Sequence, residues 1–374
     1  MTTYKYLAYD LRSQQILEEL PLYGTWFQSK LNGPGNCTFS TKLGGNRSNV
    51  LPDNFLLAAT IPGRSALLVE RNNQLIGAWI IWSRTYQSQA KSLSFTGQTL
   101  ESYAYKRLQT EDLSYENVDG RNILRDLYLR MQSSPQGDIH INVPASFGEL
   151  VPREFVEYLS TDFKFYGELV EELIAVETGG FDYRIEVTYT SLGVPQFNLL
   201  LGYPERLGVA YPAPSVPIFE YPGSIYNYYW PESTAEAANR LWVTGQGQGV
   251  GISSVQIDDT DNIAVGWPYL DKVVARPDTF EEDLANVAAQ LATTYDMPMT
   301  RPTFEVLPQR YPPFGSYQLG DDALFKVKDA RFPNGAQYKD RITGWELSPA
   351  GENGPESLKL IMEGSDELSE GVEV

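Results

Sequence analysis

Residues 67–95, LLVERNNQLIGAWIIWSRTYQSQAKSLSF, decide the fold class of this chain. Apolar, strand-forming runs alternate here with turn-forming asparagine and with a segment rich in serine and glutamine, which is typical of antiparallel strands. The pattern predicts three strands of a meander. Asn72 and Asn73 are predicted to form a type I′ turn, because asparagine tolerates positive φ better than most residues. Two more strands are predicted at 24–31 and 37–42, so the first hundred residues are predicted to be β.

Helical periodicity appears in the middle of the chain. Apolar residues recur at helical spacing in residues 122–131 and again in 166–174. Each pattern predicts a helix that buries one face. The second helix is predicted to end at Gly179 and Gly180, because glycine is the preferred residue after a helix C-terminus.

Strands return in the second half. Residues 181–189 alternate apolar and polar side chains. Together with residues 196–201 they predict a hairpin that has one solvent-exposed face. A third helix is predicted to start at Asp278, where a glutamate three residues later completes a capping box. Short strands are predicted in 302–362. The acidic residues 364–374 contain no base, and we expect them to form a frayed tail.

Composition indicates a globular protein that does not bind nucleic acid tightly. The 374 residues are 42% hydrophobic and 21% charged, and 29 basic against 48 acidic residues give a net charge of −19. Phosphate contacts need a basic surface, so tight binding to DNA, RNA or an anionic membrane is disfavoured. The longest apolar run, 75–82, is far shorter than the ~20 residues of a membrane span. With no targeting segment, we expect a soluble protein made in a cytosol.

Two short motifs could suggest ligand binding. Residues 245–251, GQGQGVG, lack the ending of a phosphate-binding loop and precede a predicted strand, not a helix, so we interpret them as a flexible loop. Residues 258–262, DDTDN, lack the central glycine and distal glutamate of a calcium-binding loop, and we interpret them as a solvated turn. Gly320, also between predicted strands, is predicted to take positive φ.

Catalytic residues are not indicated. The one cysteine, Cys37, excludes a disulfide within the chain, and the one histidine, His140, excludes a site that needs two. His140 is predicted on the polar face of a strand at 138–143, with no nucleophile motif to serve. Glu171 and Glu172 are neighbours on a helix and would not face each other. We therefore predict no catalytic, cofactor-binding or metal-binding residue, although 48 acidic residues leave a carboxylate-pair enzyme open.

A dense aromatic run has two interpretations. Tyr226, Tyr228, Tyr229 and Trp230 follow one another closely. They could stack on a sugar, or they could form a strand that is buried on one face and packed at an interface on the other. The second interpretation is favoured.

Several short motifs follow one another along the chain: YLAYDL at 6–11, LPL at 20–22, LNGPG at 31–35, PGRSAL at 62–67, GAWIIW at 77–82, EYPG at 220–223 with WP at 230–231, and GD at 320–321 with DARFP at 329–333 and Gly335. In this order they resemble the minor tail proteins of long-tailed, siphovirus-type phages of actinobacteria, of the tail-tip or baseplate-hub kind.

The resemblance implies an architecture. It implies a β-rich α+β fold with two small tube-type β-barrel domains, at residues 1–97 and 211–363, and an intervening α+β domain at 98–210. The second barrel domain would carry an inserted loop region and a helix, and residues 364–374 would be a disordered tail. Three subunits with two barrels each would form a ring that matches a six-fold tail tube.

The resemblance also implies a structural virion protein without enzymatic activity or cofactor. It would be a homotrimer that closes the tail tube and takes part in host attachment and DNA ejection. Its partners would be the distal tail protein ring, the tape-measure protein and other minor tail or receptor-binding proteins. DNA would pass without specific binding, and no part would insert into a membrane. A carbohydrate-binding attachment protein and a tail-associated cell-wall hydrolase remain open alternatives.

Overall fold

The computed structural model describes residues 2–44, 53–148, 151–175, 181–235, 237–247, 249–277, 279, 281–295, 299–300, 302–351, 354–363 and 367–370. The elements divide into an N-terminal segment up to residue 99, a middle segment from 100 to 210 and a C-terminal segment from 211 onward.

The N-terminal segment is an antiparallel sheet. Its elements are β1 (Tyr4–Asp10), β2 (Gln15–Glu19), β3 (Tyr23–Lys30), β4 (Asn36–Lys42), α1 (Asp53–Ala59), β5 (Ser65–Arg71), β6 (Gln74–Gln87) and β7 (Ser92–Thr99). The strands pair in the order β3-β4-β7-β6-β5-β1-β2. The predicted meander is confirmed as β5, β6 and β7. Asn72 and Asn73 have φ of 53° and 64°, as a type I′ turn requires.

The middle segment packs helices against a hairpin. Its elements are β8 (Leu113–Asp119), α2 (Gly120–Met131), β9 (Ile141–Asn142), β10 (Pro152–Tyr158), α3 (Tyr166–Ala175), β11 (Asp182–Tyr189) and β12 (Pro195–Gly202), with 3-10 turns at Leu100–Lys106 and Ser160–Asp162. Both predicted helices and the predicted hairpin, β11–β12, are confirmed. Asp119 caps α2 by accepting the Arg121 N–H. Gly179 and Gly180, the predicted end of α3, lie outside the described residues.

The C-terminal segment supplies a second set of strands. Its elements are β13 (Ile218–Tyr221), β14 (Ile225–Tyr229), β15 (Glu232–Ser233), β16 (Arg240–Thr244), β17 (Ser254–Asp258), α4 (Thr260–Ala264), β18 (Asp271–Ala275), α5 (Glu281–Thr294), β19 (Met299–Thr300), β20 (Thr303–Val306), β21 (Asp322–Val327), β22 (Ala336–Ser348), β23 (Ser357–Met362) and β24 (Glu367–Glu370). Six of the strands pair in the order β14-β20-β23-β22-β21-β13. The two strands at the ends of this path, β13 and β14, are joined in the chain by residues 222–224.

A small lobe is inserted between β14 and β20. The short strands β15 and β19 pair at its base, and β17, β16 and β18 form a three-stranded sheet. Helix α5 packs against one face of that sheet, where Leu241, Val243, Leu284 and Ala288 are buried. The predicted third helix is therefore present from Glu281, whereas Asp278, its predicted first residue, lies outside the described residues.

The N-terminal and C-terminal strand sets share one sheet. Strand β3 pairs antiparallel with β22, with Phe27 opposite Leu347. This pairing joins 14 of the described strands into one continuous sheet. The rings of Phe27, Trp79 and Trp345 lie in contact beneath the joint. The predicted β-rich α+β class is confirmed. The two barrels and the boundaries at 97 and 210 stay predictions.

The acidic tail is not wholly unstructured. Residues Glu367–Glu370 form β24, which pairs antiparallel with β22, with Glu370 opposite Ala336. The prediction of a frayed tail is wrong for these four residues, because the unpaired edge of β22 offers backbone hydrogen-bonding groups that a polar segment can use. Residues 364–366 and 371–374 lie outside the described part of the chain.

Candidate functional site at the junction of the three segments

A buried arginine joins the middle and C-terminal segments. Arg341, on β22, is 5% exposed and Asp182, on β11, is 1% exposed. The Arg341 Nη1 donates to Asp182 Oδ1 at 3.1 Å, and its Nη2 donates to the other carboxylate oxygen. The same guanidinium donates from Nε to the Gly320 carbonyl at 3.0 Å and from Nη2 to the Leu207 carbonyl at 2.9 Å. This bidentate geometry fixes the orientation of the Arg341 guanidinium relative to the Asp182 carboxylate as well as the distance between them.

The same carboxylate also contacts the N-terminal segment. Asn32 Nδ2 lies 3.3 Å from Asp182 Oδ1, and Asn32 Oδ1 accepts the Tyr183 N–H at 2.7 Å. Asn32 adopts a φ of 60°, a left-handed conformation that asparagine tolerates. The LNGPG motif at 31–35 therefore presents its asparagine to β11, and all three segments meet at Asp182.

A second buried ion pair joins the N-terminal segment to the C-terminal segment. Arg71, on β5, donates from Nε to Glu356 Oε1 at 2.7 Å and from Nη2 to Oε2 at 3.2 Å. The Tyr4 hydroxyl donates to the same carboxylate. Breaking a buried pair of this kind leaves an uncompensated charge, which is strongly unfavourable. The two pairs therefore hold the strand sets in one arrangement.

A cavity of about 280 Å³ lies beside the second ion pair, and Arg71 is among its lining residues. It is lined by side chains from all three segments, among them Leu75 from the N-terminal, Glu101 and Arg184 from the middle, and Phe314 and Tyr317 from the C-terminal segment. Its walls thus combine apolar surface with a carboxyl, a guanidinium and a phenol.

Three buried polar atoms of this cavity have no hydrogen-bond partner among the described residues: Glu101 Oε2, Arg184 Nε and Tyr317 Oη. The other oxygen of Glu101 accepts the Ile185 N–H at 2.7 Å. Burial raises the pKa of the Glu101 carboxyl and of the Tyr317 phenol, and burial lowers the pKa of Arg184. The groups can hydrogen-bond to water or to a small polar molecule.

His140 does not line this cavity, and it does not lie on a regular strand as predicted. It has a φ of 64° and precedes β9, which is only two residues long. The prediction of a regular strand at 138–143 is wrong, because the Asp138 side chain accepts the His140 N–H and turns the backbone. The imidazole lies between the Asp138 carboxylate, 3.3 Å from Nδ1, and the Arg12 carbonyl, 3.2 Å from Nε2.

The other candidate residues have structural contacts. Cys37 is buried on β4, and burial raises the pKa of its thiol, which makes it unreactive. The Tyr105 hydroxyl donates to Glu171 at 2.6 Å, and Lys164 pairs with Glu172 at 2.7 Å, so the two glutamates serve different partners, in agreement with their predicted orientation. Within the described ranges, no group of three or more histidine, cysteine or acidic side chains could hold a metal ion.

The glycine-rich and aspartate-rich motifs lie in the inserted lobe. The described residues of 245–251 connect β16 to β17 and include a 3-10 turn at Gly249–Gly251, as the loop prediction requires; Gln248 lies outside them. The solvated turn predicted at 258–262 is wrong in detail. Asp258 ends β17, and Asp259 caps α4 by accepting the N–H groups of Asp261 and Asn262.

The aromatic run is divided between the core and the surface. Trp230 packs edge-on against Phe304, Phe332 and Tyr338, and the Tyr228 hydroxyl donates to Asp329. Tyr226 and Tyr229 are 70% and 57% exposed. The strand is therefore buried on one face, as predicted, whereas an interface on its other face stays a prediction.

Sequence reasoning missed both buried ion pairs and the cavity. The signal available was weak: Arg71 follows the apolar run of β5 after Glu70, and Arg341 directly precedes the β-forming pair Ile342 and Thr343 in β22. Charged residues in such places are buried only when they are paired. The partners, Glu356 and Asp182, lie 285 and 159 residues away in sequence.

No protein-family model matches the chain, and no curated protein sequence matches it. Several solved structures, in contrast, match it over nearly its whole length. A 43 kDa tail protein of prophage MuSo2 from Shewanella oneidensis superposes with a TM-score of 0.61 at 11% identity, covering 97% of this chain and 100% of that one. A tail protein from Neisseria meningitidis gives a TM-score of 0.58 at 14% identity, covering 97% of each chain. The prophage tail protein gp18 from Listeria monocytogenes gives 0.54 at 12% identity, covering 97% of this chain and 95% of that one.

These similarities define the class to which the fold belongs. The chain has the fold of phage tail proteins, and the match extends over nearly its whole length, including the middle segment and the inserted lobe. Among the described residues, no helix has both the length and the apolar character that crossing a bilayer requires.

Proposed function

We propose that the protein is a structural component of a phage tail tip, of the minor tail or baseplate-hub type. The observation that carries this proposal is the fold shared with three tail proteins over at least 95% of each of those chains. The motifs at 31–35 and 329–335 support a long-tailed phage of actinobacteria. Such a protein is made in the host cytoplasm and then built into the virion.

The working form in this proposal is a homotrimeric ring. Two strand sets per chain, one N-terminal and one C-terminal, would give six such units in a trimer, which is the number that continues a six-fold tube. The ring would contact the distal tail protein ring, the tape-measure protein and the receptor-binding or other minor tail proteins. Closed symmetry is what a sealed tube end requires.

The mechanism is mechanical and electrostatic. The Arg341–Asp182 pair fixes the C-terminal strand set to the middle segment, and the Arg71–Glu356 pair fixes it to the N-terminal strand set, so that load on one part of the ring would reach the others without a change of shape. The net charge of −19 lets DNA pass during ejection without adhering, since phosphate binding needs lysine and arginine to displace counterions. No covalent step belongs to this function.

Host attachment by carbohydrate binding remains a second candidate, because exposed aromatic side chains favour it; Tyr226 and Tyr229 on β14 are two of them. The contacts of Glu171 and Glu172 with Tyr105 and Lys164 do not favour a hydrolase.

The proposal is tested by an electron-microscopy map of the intact tail tip. We expect this chain in a copy number divisible by three, around a channel lined by more aspartate and glutamate than lysine and arginine. We also expect the purified chain to bind DNA more weakly than about 10⁻⁴ M at physiological salt. A channel lined mainly by basic residues, or a different copy number, would overturn the proposal.

A further inference from the structure

In the described part of the inserted lobe, helix α5 packs against only one face of the three-stranded sheet. Helix α5 covers the face that carries Leu241, Val243 and the partly buried Val274. Strand residues alternate between faces, so Arg240, Trp242 and Thr244 lie on the opposite side. Trp242 and Val273 on that side are 38% and 67% exposed. We call this side of the sheet the open face.

The register places the outward residues of the open face in three rows. In each row the central residue belongs to β16 and is paired with a residue of β17 and a residue of β18. The rows are Asp258–Arg240–Asp271, Gln256–Trp242–Val273 and Ser254–Thr244–Ala275. An indole therefore lies at the centre, with a charged row on one side and a row of hydroxyl and methyl groups on the other.

The charged row is held in place. Arg240 donates from Nε and Nη2 to the two carboxylate oxygens of Asp258, each at 3.1 Å, and Gln256 donates to Asp258 at 2.7 Å. The guanidinium of Arg240 also lies 3.5 Å from the ring centre of Tyr269, a residue that is 54% exposed. Hydrogen bonds from Arg240 and Gln256 lower the pKa of Asp258, so this carboxylate is an ionised acceptor at neutral pH.

We propose that the open face is a binding site for a neutral or amino-bearing saccharide, with a sugar ring stacked on Trp242. A sugar ring has an apolar face, which an indole can cover, and hydroxyl groups at its edge, which Gln256 and the Asp258–Arg240–Asp271 row can bind. Residues two apart on one strand are separated by about 7 Å, so the indole and the charged row can serve the same short oligosaccharide.

The composition of the face favours a saccharide over the alternatives. Only Trp242, Val273 and Ala275 are apolar, whereas the core of a protein–protein interface is depleted of charged residues. Two aspartates face one arginine, so an anionic polymer such as DNA would be repelled. The proposal concerns the lobe alone and does not depend on the ring.

The test uses the full chain and a panel of soluble probes. The panel contains oligomers of glucose, galactose and N-acetylglucosamine, oligomers of glucosamine as the amino-bearing class, and oligogalacturonate as an anionic control. Titration calorimetry is run with the parent chain, with Trp242→Ala and with Tyr86→Ala, a residue of β6 that is 54% exposed. The last variant removes an exposed aromatic side chain outside the lobe and is the matched control.

We expect at least one neutral or amino-bearing probe to bind, Trp242→Ala to weaken its binding by about tenfold or more, and Tyr86→Ala to change it by less than about twofold. If Trp242→Ala fails to fold, Val273→Arg decides the matter, since it adds a long side chain at an exposed position beside the indole. The proposal is overturned if no saccharide binds at concentrations up to about 10 mM, if the variants of the open face bind as the parent does, or if oligogalacturonate is preferred.

Discussion

Arg341 and Asp182 form a bidentate ion pair in which both side chains are almost completely buried, with 6% and 1% of their surface exposed. The pair connects β22 to β11, two strands that belong to different sheets. The Gly320 and Leu207 carbonyls accept two further N–H groups of the same guanidinium. The pair therefore helps to orient the middle segment against the large sheet, together with the contacts of Asn32 with Asp182 and Tyr183.

We expect Asp182→Asn to lower the free energy of unfolding by about 3–5 kcal/mol, because the Arg341 charge would remain buried without its counter-charge. Urea unfolding monitored by circular dichroism measures the effect. The matched control is Glu232→Gln, which breaks the Arg331–Glu232 pair, whose side chains are 55% and 51% exposed. That change is expected to cost less than about 1 kcal/mol. Equal losses in the two variants would contradict the role given to the buried pair.

Gly320 is predicted to resist substitution for two separate reasons. Its φ is +99°, which confirms the sequence-based prediction, and a Cβ atom there would clash with the Leu207 carbonyl oxygen. Strain at such a backbone conformation alone costs about 1–3 kcal/mol. We expect Gly320→Val to cost more than that in urea unfolding, because the carbonyl that Arg341 uses would also have to move.

The control for Gly320 must be chosen from the structure. The neighbouring Asp322 accepts the Tyr211 N–H at 2.8 Å and pairs with Arg206 at 2.5 Å, so Asp322→Ala is not a neutral comparison. A Cβ atom added at Gly33 would point into open space. Gly33→Ala should change the free energy of unfolding by less than about 0.5 kcal/mol. A comparable loss at both glycines would refute the special role of Gly320.

Local patterns predicted the strands and helices because each depends on a few adjacent residues. The Asn72–Asn73 turn, the meander around it and the amphipathic helix α3 needed only side-chain periodicity and turn chemistry. The same reasoning failed at His140, where one aspartate side chain competes with strand pairing, and at 367–370, where the partner strand lies about 30 residues earlier in the chain.

The candidate site could not be predicted in this way. The cavity and both ion pairs arise from contacts between residues more than a hundred positions apart, and sequence order does not show which of 48 acids will meet a given arginine. The inserted lobe shows the same limit. Trp242 is an ordinary strand residue in the sequence, and only the register with β17 and β18 reveals the residues beside it.

The pairing of β24 with β22 changes the expectation for the C-terminus. Deleting residues 364–374 removes four register pairs from the edge of β22. Each cross-strand pair contributes roughly 0.2–1 kcal/mol, so we expect a loss of about 1–4 kcal/mol in the free energy of unfolding. Deleting only 371–374 is the matched control and should have little effect. A melting temperature unchanged by the longer deletion would show that β24 adds no stability.

Glu101 makes the stability of the junction depend on pH. Burial raises the pKa of its carboxyl above the ordinary value of 4.5, so the folded state binds this proton more tightly than the unfolded state does. The stability that results is fully present below pH 4.5 and is lost as the pH rises through the folded-state pKa. Glutamine resembles the protonated acid and can still accept the Ile185 N–H.

We therefore expect Glu101→Gln to remove this part of the pH dependence. Its free energy of unfolding relative to the parent chain should increase between pH 4.5 and about pH 8, as measured by urea unfolding at both values. Glu154→Gln, at an exposed position on β10, is the matched control and should show no such trend. The argument fails if Glu101→Gln is less stable than the parent by the same amount at both pH values, since the carboxyl would then contribute only a hydrogen bond and not a buried charge.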